Sequence, residues 1–584
     1  MRLRETPLIF DGAMGTYYAT ISPNPLSRCE LANLYERHTI LDIHQQYIEA
    51  GCKAIRTNTF GANRVYLEGN ADLVQEVISK GYEIALEAVK DKDVLVFADI
   101  GPIPASETVD ARKEYIEIID QFLALGATHF VFETFSEDRF LAELARYIKG
   151  RNSTTFVLAE FAVSPEGYTR LGESGRKLIE RTLQEPAIDA CGFNCFSGPY
   201  HLLQYIKTFN IKDKTISIMP NSGYPTIINN RTFFDNTKEY FAMQMLEIAK
   251  TGVSIIGGCC GTTPEFIREM VRKLKDLSPN QIVLHNQEEE KIVDRKSNKN
   301  SLLEKMKSGK KIIAVELDPP IDTEIDFFIS SAKRLKEHQV DAITIADCPI
   351  ARARVDSSLL ACKLKRELDI TPIPHMTCRD RNINATKALL LGLNIEGVNN
   401  VLVVTGDPVP SAQRDEIKSM FSFNSAVLAN YIRNLNEGTF SSPFNICAAL
   451  NVNARNFHNE LAHAKKKIEN GVSMFLTQPV LTKQAMENLK KAHQELDAFI
   501  LGGIIPIVSY RNACFMNNEI SGIKVSDEII QMYEGVSKEE ADRLAVELSV
   551  QIAKEIGDYV DGYYIITPFK RIDLVSKIIE EVKE

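Results

Sequence analysis

HFVFETFSEDRFLAELARYIKGRNSTTFVLAEF, residues 129–161, decides what kind of chain this is. Two short β-rich apolar runs, HFVFET (129–134) and FVLAEF (156–161), flank a longer amphipathic stretch. That alternation is the signature of βα units feeding a parallel sheet. It continues in both directions. Upstream the runs are PLIF (7–10), KAIRT (53–57) and VLVFAD (94–99); downstream they are IDACGF (188–193), ISIM (216–219) and SII (254–256). Eight runs in about 260 residues are the number and length expected of a (β/α)₈ barrel.

Between 281 and 311 the texture changes to QIVLHNQEEEKIVDRKSNKNSLLEKMKSGKK, polar, charged and without strand signals. It reads as a linker that runs into a first helix. The count then restarts with KIIAVE (311–316), AITIA (342–346), IPHM (373–376) and VLVVT (401–405). It ends with FNICAA (444–449), SMFLT (473–477), IIPI (504–507) and YYIIT (563–567), again eight. The expected architecture is two TIM barrels, 1–282 and 301–584, joined by a polar linker at 283–300. A doubly wound sheet in either half is the alternative.

Composition narrows the function. The 584 residues are 44% hydrophobic and 25% charged, near globular averages, and too many for one core. A formal charge of −10 gives no footprint for nucleic acid, and Lys465-Lys466-Lys467 reads as a solvated helix face. No apolar run reaches the length of a membrane helix, and the N-terminus lacks a signal-peptide core. Eleven scattered cysteines suit reduced thiols, so a cytoplasmic location is expected. A homo-oligomer is left open.

Barrel enzymes carry their chemistry at the C-terminal ends of the strands. In the first half those ends hold Asp11, Asn58, Glu133, Asn194 with Cys195, Asn221 and the pair Cys259-Cys260. In the second they hold Glu316, Asp347, His375, Asp407 and Gln478. Cys195 follows strand six and Cys259-Cys260 follow strand eight, so three thiols converge. Three sulfurs with one position free match a catalytic zinc site. Cys29, Cys52 and Cys191 read instead as buried structural thiols.

The motifs IFDGAMGT, TNTF, FETF, GFNC, PNSGYP and GGCCGTTPEFI, in this order across residues 1 to about 280, resemble those of the homocysteine S-methyltransferase family. The resemblance implies zinc held by Cys195, Cys259 and Cys260, with Asp11 and Glu133 on the amino group of homocysteine. Bound to zinc, the substrate thiol becomes a thiolate nucleophile toward a methyl donor.

In the second half no GxGxxG follows a strand, so a dinucleotide must bind in some other way. Glu316 ends an apolar strand and points into the barrel mouth, where desolvation raises a carboxyl toward general-acid duty. Gln478 in FLTQPV offers a donor and an acceptor on one amide, which suits a pterin edge. VELDPP, PHMTCRDRN, VVTGDP, CAALNVN, FLTQPV and GGIIPIVS together resemble the methylenetetrahydrofolate reductase family over roughly 300–584. The resemblance implies FAD in the barrel mouth, contacted by His375, Asp407 and Lys467, with NAD(P)H as hydride donor. Thr405, where many members carry arginine before GD, takes one cofactor-contact position. The resemblance also implies Glu316 as proton donor to the folate, Asp407 beside flavin and folate, and Gln478 on the pterin.

These readings make the chain a bifunctional enzyme that methylates homocysteine and reduces methylenetetrahydrofolate. Two others stay open: a zinc-bearing regulatory module fused to a working reductase, and an active transferase with a degenerate flavin barrel.

Overall fold

The computed structural model describes residues 7–104, 106, 108–209, 214–224, 226–228, 231–233, 237–275, 277, 300–406, 424–520 and 522–583. The chain divides into two compact units, Met1–Ile292 and Val293–Glu584. Residues 283–299 of the expected linker lie outside the described residues.

In the first unit eight parallel strands form one sheet: β1 (Leu8–Ile9), β2 (Ala54–Arg56), β3 (Leu95–Ile100), β4 (His129–Phe135), β5 (Phe156–Phe161), β6 (Ala190–Asn194), β7 (Ile216–Met219) and β8 (Ile255–Ile256). Each strand pairs with its sequence neighbour, β1 pairs with β8, and a parallel bridge from Phe10 to Ala54 completes the ring. The interior is packed with side chains. Leu8, Ala54, Phe97, Val131, Leu158, Ala190, Met219 and Ile255, one from every strand, form a single buried cluster. Outside it a second cluster joins the outward strand residues to helices such as Ala71–Ala88, capped by Asn70, whose side chain accepts from the Leu73 N–H.

One element stands outside the expected pattern. Thr226–Ile228 and Arg231–Phe233 pair as an antiparallel hairpin after β7.

The second unit is a closed barrel of β9 (Ile312–Leu317), β10 (Ala342–Ile345), β11 (Pro372–Thr377), β12 (Asn400–Val404), β13 (Asn445–Leu450), β14 (Met474–Pro479), β15 (Phe499–Ile504) and β16 (Gly562–Ile566). The helix expected after the linker is Ser301–Lys307, and it belongs to the core. Asn300 caps it, and Leu302 and Met306 pack against the barrel interior beside Ile312, Leu402 and Leu501.

Strand seven requires a correction. The sequence pointed to IIPI at 504–507, but the strand is FILGGI at 499–504. Gly502-Gly503 masks it, since glycine weakens a strand signal. The glycines are there for space. A Cβ on Gly503 would lie 2.4 Å from the Thr477 carbonyl oxygen, and one on Gly502 would lie 2.5 Å from Ile556. Gly503→Val should therefore destabilise the second barrel by about 1–3 kcal/mol through overpacking. Its thermal unfolding midpoint checks this, and an unchanged value would show that β14 can move aside.

Candidate active sites

The first site begins at the end of β6. Asn194 accepts from the Thr134 N–H at 3.0 Å and donates to the Thr134 hydroxyl at 2.9 Å, tying β6 to β4. The chain then turns through two left-handed residues, Cys195 (φ 55°) and Phe196 (φ 62°). Beyond β8, Gly258 admits a tight approach that a side chain would block, because its Cβ would fall 2.3 Å from the Thr262 hydroxyl. The Thr262 hydroxyl donates to the Cys259 carbonyl at 2.6 Å, and the Ser222 N–H donates to the Cys260 carbonyl at 2.9 Å.

These turns bring the sulfurs of Cys195, Cys259 and Cys260 within 4.8 Å of one another, with Cys195 and Cys260 3.6 Å apart. The cluster can hold a metal ion. Thiol hydrogen bonds from Cys259 and Cys260 pull the Cys195 thiol down to about 3. The hydrogen bond to Cys195 and burial push Cys260 up to about 12, and hydrogen bonds to Cys195 and Cys260 with burial push Cys259 well above the ordinary thiol range.

The thiols face a cavity of about 480 Å³ that charged side chains also line. Asp11 and Glu133 line it, as the sequence placed them, but they are not alone. Arg56, at the end of β2 and 6% exposed, lies between them. Its Nε and backbone N–H donate to the two Asp11 oxygens at 2.9 Å, and Nη1 donates to Glu133 Oε2 at 2.7 Å. Nη2 donates to the Gly12 and Gly258 carbonyls at 2.8 Å, so the guanidinium also braces the thiol loop. Burial outweighs Arg56 at Asp11 and raises its carboxyl to about 6.

Sequence reading missed Arg56 and two further acids on the same cavity, Glu30 and Asp99 of β3. A charged residue inside the apolar run KAIRT was the available signal, since a buried cation needs acids around it. Cys52 and Cys191 are buried in the core as expected. Cys29 is only half-buried and lines the cavity. Asn58 bonds to Asn33 and to the Cys29 carbonyl, fixing the cavity wall. His44, on the helix Arg37–Glu49, is fully buried, and desolvation lowers its pKa to about 4.

In the second barrel Glu316 lies in β9 and His375 in β11, with His375 Nε2 3.7 Å from a Glu316 oxygen. Burial raises the Glu316 carboxyl to about 7, while a hydrogen bond from the Tyr564 hydroxyl of β16 opposes the rise. Burial also lowers His375 to about 4, and its Nε2 has no hydrogen-bond partner among the described residues. Tyr564 was not singled out in the sequence because an aromatic in an apolar strand reads as core.

Asp347 is engaged differently. It accepts from Arg381 Nη1 at 2.6 Å and from the Thr377 N–H and hydroxyl. Thr405 is exposed after β12, its hydroxyl 3.4 Å from that of Ser425. Lys467 donates to the Ala449 carbonyl at 3.1 Å, and burial lowers its pKa. Gln478 is half-buried in β14. Asp407 lies outside the described residues. The structure therefore joins Glu316 to His375, and gives Thr405, Lys467 and Gln478 separate surroundings.

Among the described residues no helix is long and apolar enough to cross a membrane.

Residues 8–274 match the family model described as homocysteine S-methyltransferase, and residues 301–583 match that described as methylenetetrahydrofolate reductase. Both are enzyme families. A methionine synthase from Mycobacterium tuberculosis is 30% identical over 305 residues, 47% of this chain and 25% of that protein. One from Mycobacterium leprae is 28% identical over 297 residues, 46% of this chain and 24% of its own length. The chain thus matches about a quarter of the length of these curated relatives. A solved structure of the homocysteine methyltransferase MmuM from Escherichia coli aligns with 46% of this chain and 96% of its own, at 19% identity and a TM-score of 0.38.

Proposed function

We propose that this chain, a homocysteine S-methyltransferase domain followed by a methylenetetrahydrofolate reductase domain, makes methionine at a zinc centre in its first barrel and 5-methyltetrahydrofolate in its second. The observation that carries the reading is the thiol cluster, three sulfurs within 4.8 Å facing a cavity that charged side chains also line.

The donor set suits zinc, with three thiolates and a cavity side left for a fourth ligand. Cys195, Cys259 and Cys260 would hold the ion. Zinc would supply Lewis-acid activation of a substrate thiol at neutral pH. Asp11 and Glu133, with Arg56 between them, would face the amino-acid part of homocysteine. We favour an activated sulfonium of the S-methylmethionine type as methyl donor, since a tertiary amine on a pterin is a poor leaving group.

In the second barrel the unpartnered, buried His375 Nε2 suits a cofactor contact. His375, Thr405 and Lys467 would hold FAD, with Asp407 beside it and the folate. FAD would supply hydride transfer from NAD(P)H to the folate. Glu316, pushed up to about 7, keeps a proton at neutral pH and would protonate methylenetetrahydrofolate to open its ring. Gln478 would hold the pterin edge. This chemistry fits the cytoplasm, where reduced thiols persist.

The test is direct. Purified protein is analysed for zinc and for the yellow absorbance of flavin. It is then given homocysteine without cobalamin, plus either the sulfonium or methyltetrahydrofolate. Methionine from the sulfonium is expected. Methionine from methyltetrahydrofolate alone would reassign the donor, and none from either would overturn the transferase reading. A colourless protein without folate reduction would favour the degenerate flavin barrel.

Tyr564→Phe gives a pH test of the second site. The phenol donates to Glu316 and so favours its ionised form; without it the Glu316 pKa should rise. Folate reduction needs the protonated acid and fails as pH climbs through that pKa. The alkaline limb of its pH profile should therefore move up by about one unit, the effect of one lost hydrogen bond to a charged group. A limb that moves down would overturn the assignment.

A further inference from the structure

Four acids line the first cavity, Asp11, Glu30, Asp99 and Glu133, and Asp99 is the one with a buried oxygen that lacks a partner among the described residues. Its backbone is clamped by the segment that follows β2. The Thr57 hydroxyl accepts from the Asp99 N–H at 2.9 Å, and the Thr59 hydroxyl donates to the Asp99 carbonyl at 2.7 Å. The side chain is 5% exposed, lines the cavity with Arg56, Glu133 and the thiols, and leaves Oδ1 buried without a partner among the described residues. Asp11 contrasts with it, because both of its oxygens already accept from Arg56. Glu133 is intermediate, with Oε2 taken by Arg56. Arg56 spends Nη2 on two carbonyls and donates from Nη1 to Glu133; its charge still lowers the Asp99 carboxyl, but no hydrogen bond from it reaches Asp99 Oδ1 among the described residues.

A buried carboxyl without a donor is costly unless a ligand completes it. The ligand that fits is a cation with several N–H donors, small enough for the cavity. We propose that Asp99, with Glu133, receives the ammonium group of the amino-acid thiol, while Arg56 engages Asp11 and positions the thiol loop. Burial, and then the neighbouring Glu133, push the Asp99 carboxyl well above its ordinary range, a shift that an entering ammonium would reverse. The inference rests on the reading that this cavity takes homocysteine, and it names the group that recognises the amino end.

The experiment uses the full chain and two thiols, homocysteine and 4-mercaptobutanoate, which lacks the amino group. The Asp99→Asn protein is compared with wild type for KM and kcat of methyl transfer, binding of each thiol by calorimetry, and zinc content. Wild type should prefer homocysteine. Asp99→Asn should raise the homocysteine KM and Kd about 10–100-fold, the range for one lost hydrogen bond to a charged group, with zinc and kcat little changed. Values for 4-mercaptobutanoate should hold. An equal loss for both thiols, or no loss for either, would overturn the role of Asp99 and leave the cavity reading intact. A wild type that binds neither thiol would overturn the cavity reading itself, and the inference with it.

Discussion

Cys260→Ala is expected to remove zinc from the protein and to bring methionine formation down to background. Cys260 supplies one of three sulfurs within 4.8 Å, and its sulfur lies 3.6 Å from that of Cys195. Two thiolates make an incomplete set for a catalytic zinc, and without the ion a substrate thiol with a pKa of about 8.5 stays mostly protonated at neutral pH. Folate reduction should be untouched, because the second unit has its own closed barrel and interior core. Cys195→Ala and Cys259→Ala should behave alike. Metal analysis with a methionine assay decides it. Wild-type zinc and methyl transfer in the Cys260→Ala protein would remove the thiol cluster from the mechanism.

Glu316→Gln should slow folate reduction by about 10²–10⁴-fold, the usual contribution of a positioned general acid. The amide keeps the shape of the side chain and can still accept from Tyr564, so the barrel should stay intact. What it loses is the proton that burial holds on the carboxyl up to about pH 7. Oxidation of NAD(P)H by an artificial electron acceptor needs no acid at this position and should continue near the wild-type rate. An equal loss in both assays would make Glu316 a structural residue.

Much of this was legible in the sequence, for reasons that can be named. Parallel strands buried on both faces are continuous apolar runs, so fifteen of the sixteen runs fall on observed strands. The exception, FILGGI, hides because its glycines answer to backbone contacts that no local pattern encodes. The three thiols were legible because glycine-flanked cysteines at two strand ends have few other uses. Arg56, Asp99 and Tyr564 were not, since each is defined by partners far along the chain. Arg56 meets Glu133 across 77 positions, and Tyr564 meets Glu316 across 248. Periodicity reports which face a residue takes, and only the closed ring reports whom it meets.

Thr134, Cys195 and Phe196 hold left-handed backbones at φ 66°, 55° and 62°; the first two line the first cavity and the third follows Cys195 in the chain. Such conformations cost a non-glycine residue about 1–3 kcal/mol each and persist where the surroundings enforce them. Selection for stability alone would replace these side chains with glycine or asparagine, which take that conformation with little strain. The three positions therefore act as a gauge of use across descendants of this gene. A lineage that keeps threonine, cysteine and phenylalanine there is expected to be still under pressure to use the first cavity. One that drifts to glycine at 195 and 196 has let the first barrel become a passenger on the second.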